Sequence, residues 1–361
     1  IDLQLQMNLS DNAVPPKVDV ATRWQQVDMG INPGNLQLQG ISGRFGYSSS
    51  SGFSSEGLKG SLWGKPFSAR VSQQATVGAR GYEPARSLTD VAVATRVQMK
   101  DLQDWLQLQS LAFASGETDA QVRVQIAAGE APLLLVDSEL QGISLDFPSP
   151  WAKQAKQVQS FHLQYPLGVP GAAMELRLAP ELAMHLDLRD GGLYSGELAI
   201  NDEAGAMEPG VLRIHGNTKL VHGDQWMKFV DTYFAAGWEA ANADADSSAA
   251  PVEQQLDTSD PLTAGTQSSG FTIDSVDVHA DKLEMWGQTL QDVDFSLRLD
   301  PRQWLLQART DWVQGEYLQV RGQSAAVLAL TRLDLDGLKQ LNLVTAEDAT
   351  NSTTGSEAQL L

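Results

Sequence analysis

Phe161-His-Leu-Gln-Tyr165-Pro-Leu167, then Met174-Glu-Leu-Arg-Leu178, then Leu182-Ala-Met-His-Leu186-Asp-Leu188 are three runs in which apolar and polar residues take turns, separated by Gly168-Val-Pro-Gly171 and Ala179-Pro180. A period of two puts every apolar side chain on one face of an extended chain, and Gly/Pro clusters end such runs in tight reversals. The reading is a set of antiparallel strands with one apolar and one polar face.

The same signal extends in both directions. It is present at Ile1, Leu3, Leu5, Met7 and Leu9; at Val91, Val93, Val97 and Met99; at Val122, Val124 and Ile126; at Val293, Phe295, Leu297 and Leu299; and at Trp304, Leu306, Ala308 and Trp312. Asn32-Pro-Gly34, Arg189-Asp-Gly-Gly192, Glu208-Pro-Gly210 and Asp300-Pro301 punctuate the runs. Helical spacing is confined to two short places. Asp224 to Phe234 carries Trp226, Phe229, Val230 and Tyr233 on one side with Asp224 as N-cap, and Asp101 to about residue 109 is a shorter version around Trp105. Both suit braces or plugs against an apolar sheet face; neither has the setting of a crossover helix in a parallel α/β fold. The expected fold is all-β: a long, twisted, mostly antiparallel sheet with a few short bracing helices. Its parts are a β segment over 1–239, a disordered polar loop over 240–270, a continuation of the sheet over 271–344 and a disordered tail over 345–361. A faint internal echo, Leu58 to Pro66 with Trp63-Gly64 and Leu283 to Leu290 with Trp286-Gly287, suggests repeated strand-plus-brace units.

The bulk numbers narrow the function. The 361 residues carry 25 basic and 45 acidic side chains, a formal charge of −20 that repels nucleic acid and offers no polybasic segment for an anionic bilayer. There is no cysteine, which removes disulfides, thiol nucleophiles and zinc-cysteine sites. The longest apolar run, around Leu133 to Val136, is far short of the ~20 residues of a membrane-crossing helix. The chain opens inside an alternating strand and reads as a fragment whose targeting segment lies elsewhere.

No nucleophile elbow, phosphate-cradling loop or dinucleotide fingerprint is present, and His162, His185, His215, His222 and His279 form no metal-ligand spacing. The chain therefore reads as non-enzymatic, without metal or cofactor. Asp292, Asp294 and Asp300 alternate with Val293, Phe295, Leu297 and Leu299, as a solvated strand face does. The tryptophans, among them Trp63, Trp105, Trp226, Trp286, Trp304 and Trp312, lie among aliphatics and read as packing.

A sheet with one apolar face needs a cover, and two short helices are too little. Either the chain closes into a sandwich, or the sheet curls into a trough whose apolar interior suits acyl chains, running roughly 70 Å for about 15 strands. Physical reasoning weighs the two evenly. A carbohydrate-active protein using an acid pair and Trp platforms is a third reading.

One stretch tips the balance. Asp137-Ser-Glu-Leu140-Gln-Gly142-Ile-Ser-Leu145-Asp-Phe147-Pro-Ser-Pro150-Trp-Ala-Lys153 resembles a motif of the YhdP proteins, large AsmA-like proteins of the Gram-negative envelope. Gly40-Ile-Ser-Gly43, Leu58 to Pro66, the Trp226 helix and Val278 to Gly287 followed by Val293 to Leu299 are similar to family features in the same order. The resemblance implies a repeating β-groove, held at the inner membrane by an N-terminal helix absent here, that crosses the periplasm and conducts phospholipids between inner and outer membranes. Leu3, Leu5, Val93, Val97, Val124, Leu163, Leu176, Leu182, Leu186, Val293, Phe295 and Leu297 are the expected groove lining, and Trp226, Phe229 and Tyr233 the expected brace. The expected partners are phospholipid acyl chains, and both membranes through regions outside this chain. A structural or adhesive envelope protein that binds no lipid is the alternative.

Overall fold

The computed structural model describes residues 2–6, 17–31, 36–76, 86–106, 109–189, 192–233, 273–285, 287–299, 303–320 and 325–334. The expected loop over 240–270, the tail over 345–361 and the turns Asn32 to Gly34 and Asp300-Pro301 lie outside them. The first half holds β1 (Asp2–Gln6), β2 (Lys17–Ile31), β3 (Leu36–Ser48), β4 (Gly52–Leu62), β5 (Lys65–Thr76), β6 (Arg86–Gln98), α1 (Met99–Leu106), a 3-10 turn (Gln109–Phe113), β7 (Ala114–Ala127), β8 (Leu133–Ser138) and β9 (Ile143–Leu145). Next come β10 (Phe161–Pro166), β11 (Met174–Leu178), β12 (Leu182–Arg189), β13 (Gly192–Ile200), β14 (Leu212–Thr218), β15 (Val221–His222) and α2 (Gly223–Tyr233). The chain continues through β16 (Ile273–Met285), β17 (Gln288–Leu299), β18 (Gln303–Arg309), β19 (Val313–Val320) and β20 (Ala326–Leu333).

All of these strands but β9 form one large mixed sheet that does not close into a barrel. The all-β reading holds. From β1 through β8 and β10 to β13 it is an antiparallel meander, and so again from β16 to β20. At about 4.8 Å per strand the sheet is on the order of 85 Å from β1 to β20. The alternation is visible in β2, where Val18, Val20, Thr22 and Trp24 are half-buried between exposed neighbours until Gln25 and Gln26, both exposed, shift the phase. Gln26 has a positive φ of 55°, and the register slips there. Bulges of this kind bend a strand and sharpen its twist, and others lie between Ser54 and Leu58, between Asp187 and Leu188 and between Gln314 and Gly315.

The middle of the sheet departs from expectation. Short connections were expected to join antiparallel neighbours, yet β13 pairs with β14 in parallel, and β14 and β15 pair with β16 in parallel. After β13 the chain runs back over the polar face, where the carbonyl of Gly205 accepts a hydrogen bond from His185 Nδ1 at 2.9 Å, and Glu208-Pro-Gly210 turns it into β14. Ala199 is completely buried there. β13 and β14 approach so closely that a Cβ on Gly216, whose φ is +129°, would lie 2.1 Å from the Ile200 carbonyl oxygen. The second parallel step has α2 in its connection, so this helix does occupy a crossover, contrary to the sequence reading. Helical spacing reports which side of a helix is apolar; it carries no information about where the following strand inserts.

Candidate functional site: one apolar face

Cross-strand register links Leu58, Ala69, Val93, Val122, Val136, Leu163, Leu176, Met184, Leu198, Ile214, Val276, Leu297, Leu306, Tyr317 and Leu328, each the partner of the next. It is an unbroken apolar file from β4 to β20. The file one residue over, on the opposite face, runs Lys59, Ser68, Ala94, Gln121, Asp137, His162, Arg177, Ala183, Ala199, His215, Asp277, Ser296, Gln307, Glu316 and Ala329 through the same pairings. It contains nothing larger and apolar than alanine. Because paired residues share a face, the sheet has one apolar side along its length.

Ten of the twelve residues expected to line a groove take positions on this side. Val93, Leu163, Leu176 and Leu297 are in the file itself; Val124 pairs with Val91 and Leu134, Val97 with Thr118, Leu182 with Leu178 and Ile200, and Leu186 with Met174 and Gly196. Val293 pairs with Ala280, and Phe295 with Val278 and Ala308. Leu3 and Leu5 stand opposite Val20 and Val18.

Burial divides this face lengthwise. Toward one rim, Phe67, Thr95, Thr118, Leu178, Ile200, Ala280 and Val293 are buried, Val293 at 0% exposure. Toward the other, Val71, Val91, Val124, Leu134, Leu163, Leu186 and Leu212 remain half-exposed, and Tyr47, Phe53 and Ile126 are exposed.

The cover on the buried half is the very stretch that carries the sequence motif. After β8 the chain turns across the face: Ser138 Oγ accepts from the amide of Leu140 and donates to the Asp119 carbonyl, and β9 pairs antiparallel with the start of β7. Gly142 and Gly116 make the approach possible, since a Cβ on either would sit 2.1 Å from a carbonyl oxygen of the other strand. Ile143 and Leu145 are buried with Ala114 and Leu178, and Phe113, Phe147, Phe161 and Leu182 pack around them. Lys153 folds back under this segment, 5% exposed, and its ammonium donates to the carbonyls of Leu140 and Ile143, both at 2.7 Å. Burial holds its pKa below that of an ordinary lysine.

The helix α2 completes the cover. Trp226 packs on Val221, Ala280, Leu283 and Val293, and Phe229, 8% exposed, sits 5.4 Å from the Phe147 ring. Tyr233 donates to Asp146 Oδ2, which raises the phenol pKa. The expected brace residues are thus brought together with Phe113, Phe147 and Trp151, none of which the sequence had linked to the helix. The role of residues 139–153 as cover also went unread, because hydrophobic period alone cannot tell a strand in the sheet from a segment laid over it.

Both members of the Trp-Gly echo fall between paired antiparallel strands. Leu62 pairs with Lys65 around Trp63-Gly64, and Met285 with Gln288 around residues 286–287. Trp63 and Gly64 both have positive φ, 49° and 73°, as a two-residue hairpin of primed type requires. Trp63 rests on Trp105 of α1 with ring centroids 5.8 Å apart.

The polar face is paired across strands. His162 meets Asp137 at 2.7 Å, His222 meets Glu284 at 2.9 Å, and His279 meets Asp294 at 2.8 Å, while Arg309 also binds Asp294. Asp187, on the polar side by alternation, is 3% exposed: it is buried beside a bulge and bonded to Arg189, which lies over the Tyr194 ring. Among the described residues no group of three or more His, Asp or Glu side chains could hold a metal ion, and no helix is long and apolar enough to cross a membrane.

No curated protein and no solved structure matches the chain. The model of the YhdP protein family matches residues 1–360. With that match over nearly its whole length, on a sheet whose covering segment is built from the stretch Asp137 to Lys153, the chain belongs to the YhdP family.

Proposed function

We propose that this chain is a section of a bridge-like lipid conduit between the inner and outer membranes, in which phospholipid acyl chains lie on the apolar sheet face and headgroups stay at the solvent rim. YhdP-family membership goes with a lipid-transfer-related protein of the Gram-negative envelope. The observation that carries the finer reading is the unbroken apolar file from Leu58 to Leu328, half-exposed over much of its length and free of any charged residue. Contiguous apolar patches larger than a few hundred Å² ordinarily mark binding surfaces, and a continuous apolar ligand matches a continuous apolar track. Movement along it requires no covalent step. The groove needs continuity of apolar character, so its working parts are a surface and not a constellation of reactive groups.

Native mass spectrometry of the chain purified without added lipid tests the reading. Co-purifying phospholipid is expected, and it should fall several-fold in Leu163→Asp or Leu186→Asp but hold in Gln121→Asp on the opposite face, since one buried carboxylate costs several kcal/mol against an apolar tail. A stable, monodisperse chain with no lipid would instead favour a structural or adhesive envelope protein.

A further inference from the structure

We infer that the apolar face is a one-sided binding site: acyl chains occupy only the strip along the open rim, and the other half is a sealed floor that lipid never touches. The inference rests on the lipid reading above and adds to it which residues meet the ligand and from which side it enters.

Two features define the strip. The first is the direction of the burial gradient, which is the same on strands far apart in the chain. Ala120 at 5% gives way to Ile126 at 42% along β7, and Phe67 at 7% lies at the same rim as Leu178 at 6% and Ile200 at 7%. The second is what stands over the floor. Residues 139–153 cover it over β10 to β12, and α2 covers it over β16 and β17 through Trp226. Over β3 to β5 the sheet's own curl packs Ile41, Leu58 and Phe67 together.

The cover is held by polar bonds as well as packing. The Lys153 ammonium spends its protons on backbone carbonyls, and Tyr233 ties α2 to Asp146. Such a cover resists displacement, because breaking it strands buried polar groups. At the opposite rim the connections described, Ser48–Gly52, Ala127–Leu133 and Leu167–Ala173, are short turns with small residues that place nothing over the face. A strip of four or five residues per strand is about 15 Å deep. Tails therefore lie along the strand direction with headgroups at this single rim, and lipid enters sideways beside the connections described. Of the expected lining residues, Val124, Leu163 and Leu186 fall in the strip, whereas Val293 and Leu182 belong to the floor.

The absence of cysteine permits a direct test. Single-cysteine variants Val124→Cys, Leu186→Cys, Leu178→Cys and Val293→Cys, small enough to fit either half, are labelled with a maleimide before and after incubation with phosphatidylethanolamine/phosphatidylglycerol vesicles. Circular dichroism and the thermal midpoint verify that each variant is folded. Positions 124 and 186 should label readily and slow by about tenfold or more once lipid is bound, as when the reachable form falls to a tenth. Positions 178 and 293 should label slowly in both states, with no lipid effect. If positions 178 and 293 label readily without lipid and are protected by it, lipid bathes the whole face, and the one-sided site is wrong while the conduit stands. If no position is protected, the lipid reading falls and this inference with it.

Discussion

Gly142 lies at the crossing of two chain segments and illustrates how a single atom decides the cover. Its φ is +102°, and a Cβ there would stand 2.1 Å from the Glu117 carbonyl oxygen, a contact that only backbone movement relieves. Gly142→Ala should cost about 2–4 kcal/mol in urea unfolding, against about 1 for Gly129→Ala, which has a similar positive φ of +79° but open space around it. Equal costs would show that crowding at the crossing is unimportant. His279 supplies the pH dependence. Its hydrogen bond to Asp294, with Asp292 and Asp281 nearby, raises its pKa above the usual value. The folded state therefore binds the proton more tightly than the unfolded chain, so the stabilisation is complete below the unfolded pKa of about 6.5 and is lost as pH rises through the folded value. The urea midpoint should decline over that window, and His279→Gln should flatten the decline. The effect is small, because the ring is 41% exposed.

At the scale of elements, the two short helices and the segment after β8 do the work that a second sheet does in a sandwich. Phe229 is the hinge of this arrangement, buried among Phe113, Phe147, Trp226 and Tyr233. Phe229→Ala should remove about 3–5 kcal/mol of packing. The loss should appear first as faster amide exchange in α2 and residues 143–153, with β2 to β6 unchanged, since distant strands share no contact with the ring. Uniform acceleration across the sheet would mean that the cover and the sheet unfold as one unit. Short connections beside helices recur: Leu62 pairs with Lys65 where Trp63 rests on Trp105 of α1, and Met285, which pairs with Gln288, packs in the cluster that Trp226 of α2 joins.

At the scale of the whole molecule, the sheet is long, open and polarised between faces. Most charges of the strands lie on one side, where histidines, arginines and acids pair across strands. That segregation leaves the apolar side of the sheet continuous. Substitutions should accordingly sort by face: an acid at Val124 should reduce bound phospholipid several-fold, and one at Gln121 should leave it unchanged, read by lipid extraction and mass spectrometry. Indifference to face would contradict the conduit.

The strands, their faces and the two helices were legible in the sequence because each depends on a local period: two for a half-buried strand, three to four for a helix lying on a surface. Val93, Leu163, Leu186 and Phe295 could be assigned to one side for that reason alone, and so could Trp226 and Phe229. Where a segment goes once formed is a different matter. The parallel pairing of β13, β14 and β16 depends on contacts between residues far apart in the chain, and residues 139–153 have the same hydrophobic content whether they join the sheet or lie across it. Asp187 shows the limit at a single position: alternation puts it on the polar face, and only the packing around the β12 bulge buries it. Period determines which way a side chain points from its own strand; what stands opposite it, and so whether it meets protein, water or lipid, is decided only by the tertiary fold.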